Sequence, residues 1–400
     1  MKKIAIILTF LTAVVITACE KDDDPVYQID VTVNYPDNYN STVAEGVWVY
    51  VTKDGTERTD SAQTDASGVA SISKLSVGIY NISASISLTE AQTEAQTGVA
   101  EEVLLTVVEN SVSVLMNTEK SLTLAGAVLG DLVFKEVYYS GSKTPEDGYY
   151  FSDQYYEIYN NSTDVIYADK LCIGIVDSWT SRASVSVWLP AYPSQSALHS
   201  FWYIPGNGTD YPINPGESII IAQDGINHQS DPLGNPNSPV NLGDAEWETF
   251  VPRDDNRDID APAVPNLTMG FANRLGIDWL TSVFGCGYVI FHIDGDIDAY
   301  VEANKVLKPE SVSTTSFYVL IDNDMVIDGF QAYKDDSETS MPKMHAVIDA
   351  GFTYDPNGNY TGKCVRRKVK TVINGRTIYQ DTNNSTNDFL IDQECSPRIY

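Results

Sequence analysis

Two stretches of the chain place side-chain oxygens at alternate positions. One is Asp254-Asp255-Asn256-Arg257-Asp258-Ile259-Asp260; the other is Asp294-Gly295-Asp296-Ile297-Asp298. Hard cations such as calcium take oxygen ligands in this spacing, which makes Asp294, Asp296 and Asp298 the metal candidates. Neither run continues as an EF-hand loop. The sixth position is Ile259 or Ala299, and the twelfth is Pro265 or Lys305. A chain this acidic also yields acidic turns by chance. A second kind of chemistry is suggested by aromatics. Trp179, Trp188, Trp202, Trp247 and Trp279 all fall between residues 179 and 285, and Pro, Asn, Asp and Gly are dense from Ile204 to Pro265. Aromatics on long loops can stack on sugars or on a flat cofactor, so Trp179, Trp188, Trp202 and Trp247 are the ligand-binding candidates. The competing expectation is that they anchor a small core inside the insertion.

Nucleophilic and redox motifs are missing from the sequence. His199, His228, His292 and His345 share no metal spacing, and there is no H-E-x-x-H, G-x-S-x-G or dinucleotide-binding glycine pattern. Gly358 to Cys364 is one residue short of a phosphate loop, with Cys364 where Ser or Thr is required. No cofactor is implied beyond the calcium that the acidic runs admit. Cys172, Cys286, Cys364 and Cys395 form no C-x-x-C pair, so zinc ribbons and thioredoxin-like chemistry are not expected. Cys364 and Cys395 are the candidate disulfide in an exported chain, with free buried thiols as the alternative.

Export itself is written at the N-terminus. Lys2 and Lys3 precede an apolar stretch from Ile4 to Ile16, too short for a comfortable membrane span. Ile16-Thr17-Ala18-Cys19 matches a bacterial lipobox. Cleavage after residue 18 leaves Cys19 N-terminal and lipid-modified, and acyl chains hold at about 0.8 kcal/mol per buried methylene. Removing Lys2 and Lys3 leaves 23 basic against 55 acidic residues, a formal charge of −32. Such an excess repels nucleic acid and anionic lipid headgroups. An apolar fraction of 43% supports a packed core.

The elements that must position these residues read as all-β. Residues 1–18 are the signal peptide and 19–25 an acidic tether. Residues 26–120 hold short, evenly spaced alternating segments, as a Greek-key β-sandwich does. Among them are Gln28–Val33, Gly46–Val51 with Trp48 expected in the core, and two strands flanking a turn at Glu109-Asn110-Ser111. Residues 127–400 form a second, larger β domain with insertions at about 179–212 and 223–288. A short helix is expected from Arg274 to Phe284. Arg366-Arg367-Lys368 reads as a solvated edge that discourages strand-to-strand aggregation.

Several of these segments resemble known families. Thr64-Asp65-Ala66-Ser67-Gly68-Val69-Ala70, with Leu75 and Gly78-Ile79-Tyr80, resembles the carboxypeptidase-regulatory-like or Cna-B-type sandwich, which implies a non-catalytic stalk. Asp60-Ser61-Ala62, in a polar loop, resembles an O-glycosylation acceptor of exported Bacteroidota proteins, with Ser61 as the acceptor. Lys135-Glu136-Val137, Glu157-Ile158-Tyr159-Asn160, Pro215-Gly216-Glu217 and the Asp381 to Phe389 segment resemble the immunoglobulin-like lamin-tail domain. There Asn160 is expected to close the turn after its strand. Glu20-Lys21-Asp22-Asp23-Asp24 after Cys19 resembles the export signal of Bacteroidota-type surface lipoproteins, implying the outer face of the outer membrane. The whole arrangement is similar to an uncharacterised lipoprotein family with a domain of unknown function, which implies no activity. Three roles follow: a non-enzymatic surface protein binding a ligand or partner, by analogy as an accessory of a TonB-dependent transporter; a glycan-acting hydrolase; or a structural or adhesive protein.

Overall fold

The computed structural model describes residues 25–36, 39–54, 59–97, 103–127, 131–177, 186–254, 258, 260–274, 276, 278–279, 281–336, 342–373 and 375–398. Cys19, the expected signal peptide and acidic tether up to Asp24, and Trp179 lie outside them. No helix among the described residues is long and apolar enough to cross a membrane.

The N-terminal module is a two-sheet sandwich. One sheet runs Val69–Ser76, Val26–Asn34, Thr118–Thr123, with the last pair parallel. The other runs Thr59–Gln63, Trp48–Lys53, Gly78–Leu88, Val103–Val114, Ala125–Ala127. Strand alternation sends Ile29, Val31 and Val33 from one sheet against Val49, Val51, Ile82 and Leu105 from the other. The same alternation corrects the expectation for Trp48. Val49 and Val51 take the inward face, so Trp48 and Tyr50 point outward, 46% and 40% exposed. Their rings stack at 6.3 Å. The expected turn at residues 109–111 is a bulge inside one long strand. Pairing slips between Tyr80 and Ile82, Ser111 adopts φ +60°, and Asn81 Oδ1 accepts its N–H at 3.0 Å. Ser61 lies exposed on the edge strand Thr59–Gln63 rather than in a loop.

The C-terminal module packs a six-stranded sheet on a seven-stranded one. The first has the order Trp247–Glu248, Ser218–Ala222, Tyr155–Asn160, Leu132–Tyr138, Lys363–Arg367, Phe389–Glu394. The second runs Lys305–Leu307, Phe317–Asp322, Gln195–Tyr203, Leu171–Val176, Gly287–His292, Val326–Gln331, with Thr268–Ala272 also paired to Gln195–Tyr203. Phe134, Tyr156, Ile158 and Val365 meet Ile173, Ile175, Trp202, Tyr288 and Phe330 between the sheets. The outer faces are covered too. The helix Ile297–Asn304 and Met344 cover one, and Val240, Leu242 and Val264 cover the other. Central strands are therefore buried on both faces and lose the period-two pattern. Residues 195–203, placed in an insertion by the sequence, form a mid-sheet strand.

Burial on both faces forces polar side chains to find partners inside. Lys135 Nζ meets Glu157 Oε1 at 2.8 Å, both fully buried. Asn160 Oδ1 accepts from Ser162 N and Oγ at 3.0 and 2.8 Å, closing the turn after its strand. The Arg366-Arg367-Lys368 run is not an edge. Its strand lies between Leu132–Tyr138 and Phe389–Glu394. Arg367 is 2% exposed and reaches Asp328 at 2.5 Å and Asp381 at 3.2 Å.

Candidate functional site

The strand Gln195–Tyr203 changes partner half-way along one edge. Its residues 195–198 pair with Phe317–Asp322, and its residues 200–203 pair with Thr268–Ala272. His199 falls at the change and is skipped in the ladder to Leu171–Val176, where Ile175 faces Ser200 and Val176 faces Leu198. Two strands that diverge from a common partner leave a gap. A cleft of ≈ 650 Å³ occupies it, lined by His199, Ser200, Trp202, Trp279, Tyr318 and Asp278, among others. Arg253, Arg274, Asn273 and Ser316 add polar groups. Arg274 is exposed.

The tryptophans serve this cleft differently from the sequence expectation. Trp188 is 2% exposed and donates Nε1–H to Asp177 Oδ2 at 2.7 Å. Trp247 is 4% exposed and packs edge-on against Tyr211 at 4.9 Å. Trp202 is 3% exposed, inside the core between the sheets. They are anchors of packing rather than an open platform, because large apolar rings stabilise most when removed from water. Only Trp202, of these three, lends an edge to the cleft. Trp279, not a candidate from sequence, lies beside it and donates to Ser200 Oγ at 2.9 Å. The described residues of the Arg274 to Phe284 stretch are not helical.

Asp278 links the cleft to a group of acids behind it. Asp224, Asp258 and Asp278 each offer one carboxylate oxygen, and these oxygens lie within 4.8 Å of one another. Asp224 follows the strand Ser218–Ala222. Asp258 is held because its Oδ2 accepts from Val251 N at 2.8 Å. Asp278 precedes the anchored Trp279. Glu248 adjoins them, its two oxygens taken by Gly225 N at 2.7 Å and Ala261 N at 2.8 Å. Burial raises all four acids. Glu248 is pushed up to about 7 and Asp258 to about 6. Asp224 and Asp278 are raised by burial first and then by the neighbouring carboxylates. The Trp279 N–H and the Gln223 side chain hydrogen-bond the Asp278 carboxylate and partly hold it down, while Asp278 Oδ1 and Gln223 Oε1 themselves are buried without a partner.

Asp294, Asp296 and Asp298 are exposed and are not gathered into a ligand set among the described residues. Asp296 instead caps the helix Ile297–Asn304, accepting from Ala299 N at 2.9 Å. Among the described residues of the two acidic runs, only Asp258 belongs to such a cluster. Cys364 and Cys395 are free thiols, as are Cys172 and Cys286. Cys364 faces Gln393, which puts Cys395 on the diagonal. The two side chains adjoin, and the Cys395 thiol is raised by burial first and then by Cys364.

Residues 214–396 match the model of DUF4876, a family of proteins of unknown function. The chain is similar over 93% of its length, and over 96% of the other, to the crystal structure of a DUF4876 family protein from Bacteroides thetaiotaomicron. Identity is 27% and the TM-score 0.63, so the all-β architecture is shared along both modules. A DUF3823 family protein from Parabacteroides merdae matches at 14% identity over 40% of this chain and 69% of that one, with a TM-score of 0.16. No curated protein matches. The Asp224, Asp258 and Asp278 group spans the start of the DUF4876 region and its middle.

Proposed function

We propose that the chain is a non-enzymatic binding protein of the cell surface, taking a polar ligand with a flat face, such as a glycan, in the split-strand cleft. The observation that carries this reading is the cleft lining. Trp202, Trp279 and Tyr318, largely buried, form its aromatic wall, while Arg253, Arg274, Asn273 and Asp278 supply polar groups. Sites for small ligands combine these two classes of wall. The lipobox at Cys19 and the acidic tether support an anchor on the outer face of the outer membrane. From there the N-terminal sandwich acts as a stalk, and a TonB-dependent transporter is the partner by analogy. A glycan-cleaving enzyme instead needs two carboxyls across the scissile bond. Asp278 is the only carboxylate among the described lining residues, so the cleft favours binding over hydrolysis.

The test is a glycan array with the lipidated full chain, followed by calorimetry on any hit. Binding that falls in Arg274→Ala supports the cleft. A silent array, with no transporter co-purifying from solubilised outer membrane, would contradict both binding roles.

A further inference from the structure

Three carboxylates that share a buried point demand a counter-charge. Asp258 and Asp278 are 5% and 6% exposed, and Asp224 is largely buried. None of the three takes part in an ion pair between described residues; Arg253 is the cation whose field reaches Asp258, and its Nη1 donates to Gly276 O at 2.9 Å. An uncompensated buried carboxylate is costly, and nature resolves it with a cation, a proton or a metal.

Two further oxygens point to a metal. Asp278 Oδ1 and Gln223 Oε1 are buried without a donor. Gln223 is 1% exposed, its Nε2 donates to Trp279 O at 3.0 Å, and its side chain also hydrogen-bonds the Asp278 carboxylate, leaving Oε1 as its unpartnered atom. Buried acceptors that lack donors are rare and call for an explanation. A metal ion satisfies acceptors without supplying protons. The dimension fits as well. Calcium holds oxygens at about 2.4 Å, which places any two ligands of one ion at most about 4.8 Å apart. The three carboxylates meet that limit.

We propose that Asp224, Asp258 and Asp278, with Gln223 Oε1, form a site for a hard divalent cation, calcium by its all-oxygen donors. The site is independent of what the cleft binds. Because Asp278 also lines the cleft, occupancy of the two is linked if the cleft takes a ligand, with cation binding ordering the Asp278–Trp279 wall.

The full chain, stripped with EDTA, is titrated with calcium chloride and then magnesium chloride by calorimetry, and its thermal unfolding is followed. The expected result is one calcium ion per chain, a raised Tm, and weaker binding of magnesium. Asp258→Asn and Asp278→Asn should each lose more than about tenfold in calcium affinity, as disturbing a metal's supporting shell alone costs this much. Asp294→Asn should bind as the wild type does. Should the first two variants fail to fold, terbium luminescence of the wild type excited through tryptophan decides, since Trp279 adjoins Asp278. Saturation at one terbium, displaced by calcium, supports the site. Absence of heat, Tm shift and sensitised emission, or equal calcium binding by wild type and folded Asp278→Asn, overturns it.

Discussion

Two trios of aspartates in the C-terminal module meet the same electrostatic problem with different means. Asp328, Asp381 and Asp388, with side chains at most 3% exposed, surround Arg367. Every member of that group is partnered. Arg367 Nε also donates to Phe134 O at 2.7 Å, Phe134 N and Gly329 N donate to Asp328, and Thr382 N and Oγ1 donate to Asp388. The guanidinium even lies over the Phe389 ring at 4.7 Å. Asp224, Asp258 and Asp278 also converge, within 4.8 Å, but no ion pair between described residues closes them; the field of Arg253 reaches Asp258, and Asp278 Oδ1 is buried without a partner. The difference teaches what each is for. A site completed from within the chain is structural. A site left open at its centre, on the wall of a cleft, is built for something the chain does not supply.

Removing the centre of the closed trio should have the largest effect. Arg367→Met strands three carboxylates, and urea unfolding should show a loss of about 3–5 kcal/mol, the usual consequence of breaking a buried pair. In metal-free buffer, Asp278→Asn in the open trio should instead be neutral or stabilising, because it relieves like-charge repulsion. Similar losses from both substitutions would erase the contrast.

Asp349 offers an intermediate case: a buried carboxyl with donors but no ion. Its oxygens accept from Gln331 N, Gly351 N, Ser385 N and Ser385 Oγ, yet burial pushes it up to about 7. The folded chain thus holds this proton to a higher pH than the unfolded chain does. The contribution is fully present below about pH 4 and is lost as pH rises through about 7, with a ceiling of about 4 kcal/mol at about 1.4 kcal/mol per pKa unit. Chemical unfolding from pH 4 to 8 should show wild type losing ground to Asp349→Asn over that window. A flat difference would mean that the four donors keep Asp349 ionised throughout.

Calcium at about a hundred times its dissociation constant should stabilise the wild type by about 2.7 kcal/mol. Arg367 variants that remain folded should keep this gain and Asp258→Asn should not, which thermal scans with and without EDTA will read. One further effect is local. Asn160→Ala opens the turn after Tyr155–Asn160 and leaves Ile213 O short of a donor at 2.8 Å, a loss of about 1–3 kcal/mol in urea unfolding.

The closed trio was partly legible in the sequence, because Asp381 and Asp388 belong to a recognisable C-terminal segment and Asn160 to a recognisable strand end. Local period and turn chemistry carried the β class. What local signals could not show was which face of a strand turns inward. Trp48 and Val49 alternate equally well in either orientation, and it is Val49 and Val51 that enter the core. Lone Asp224 and Asp278 carry no motif. They meet because the packing of one sheet on the other brings the end of Ser218–Ala222 beside the segment after Thr268–Ala272, where Gln223 Nε2 donates to Trp279 O. The acidic run around Asp258 was the sole pointer to that site, and it was no stronger than the run at Asp294, which caps a helix.

Anomalous diffraction from crystals of the chain grown with terbium tests the open trio most directly. The account predicts one strong peak among Asp224, Asp258 and Asp278, with Gln223 Oε1 turned toward it. Density empty at that point, with terbium only on exposed acids such as Asp294 and Asp298, would contradict it.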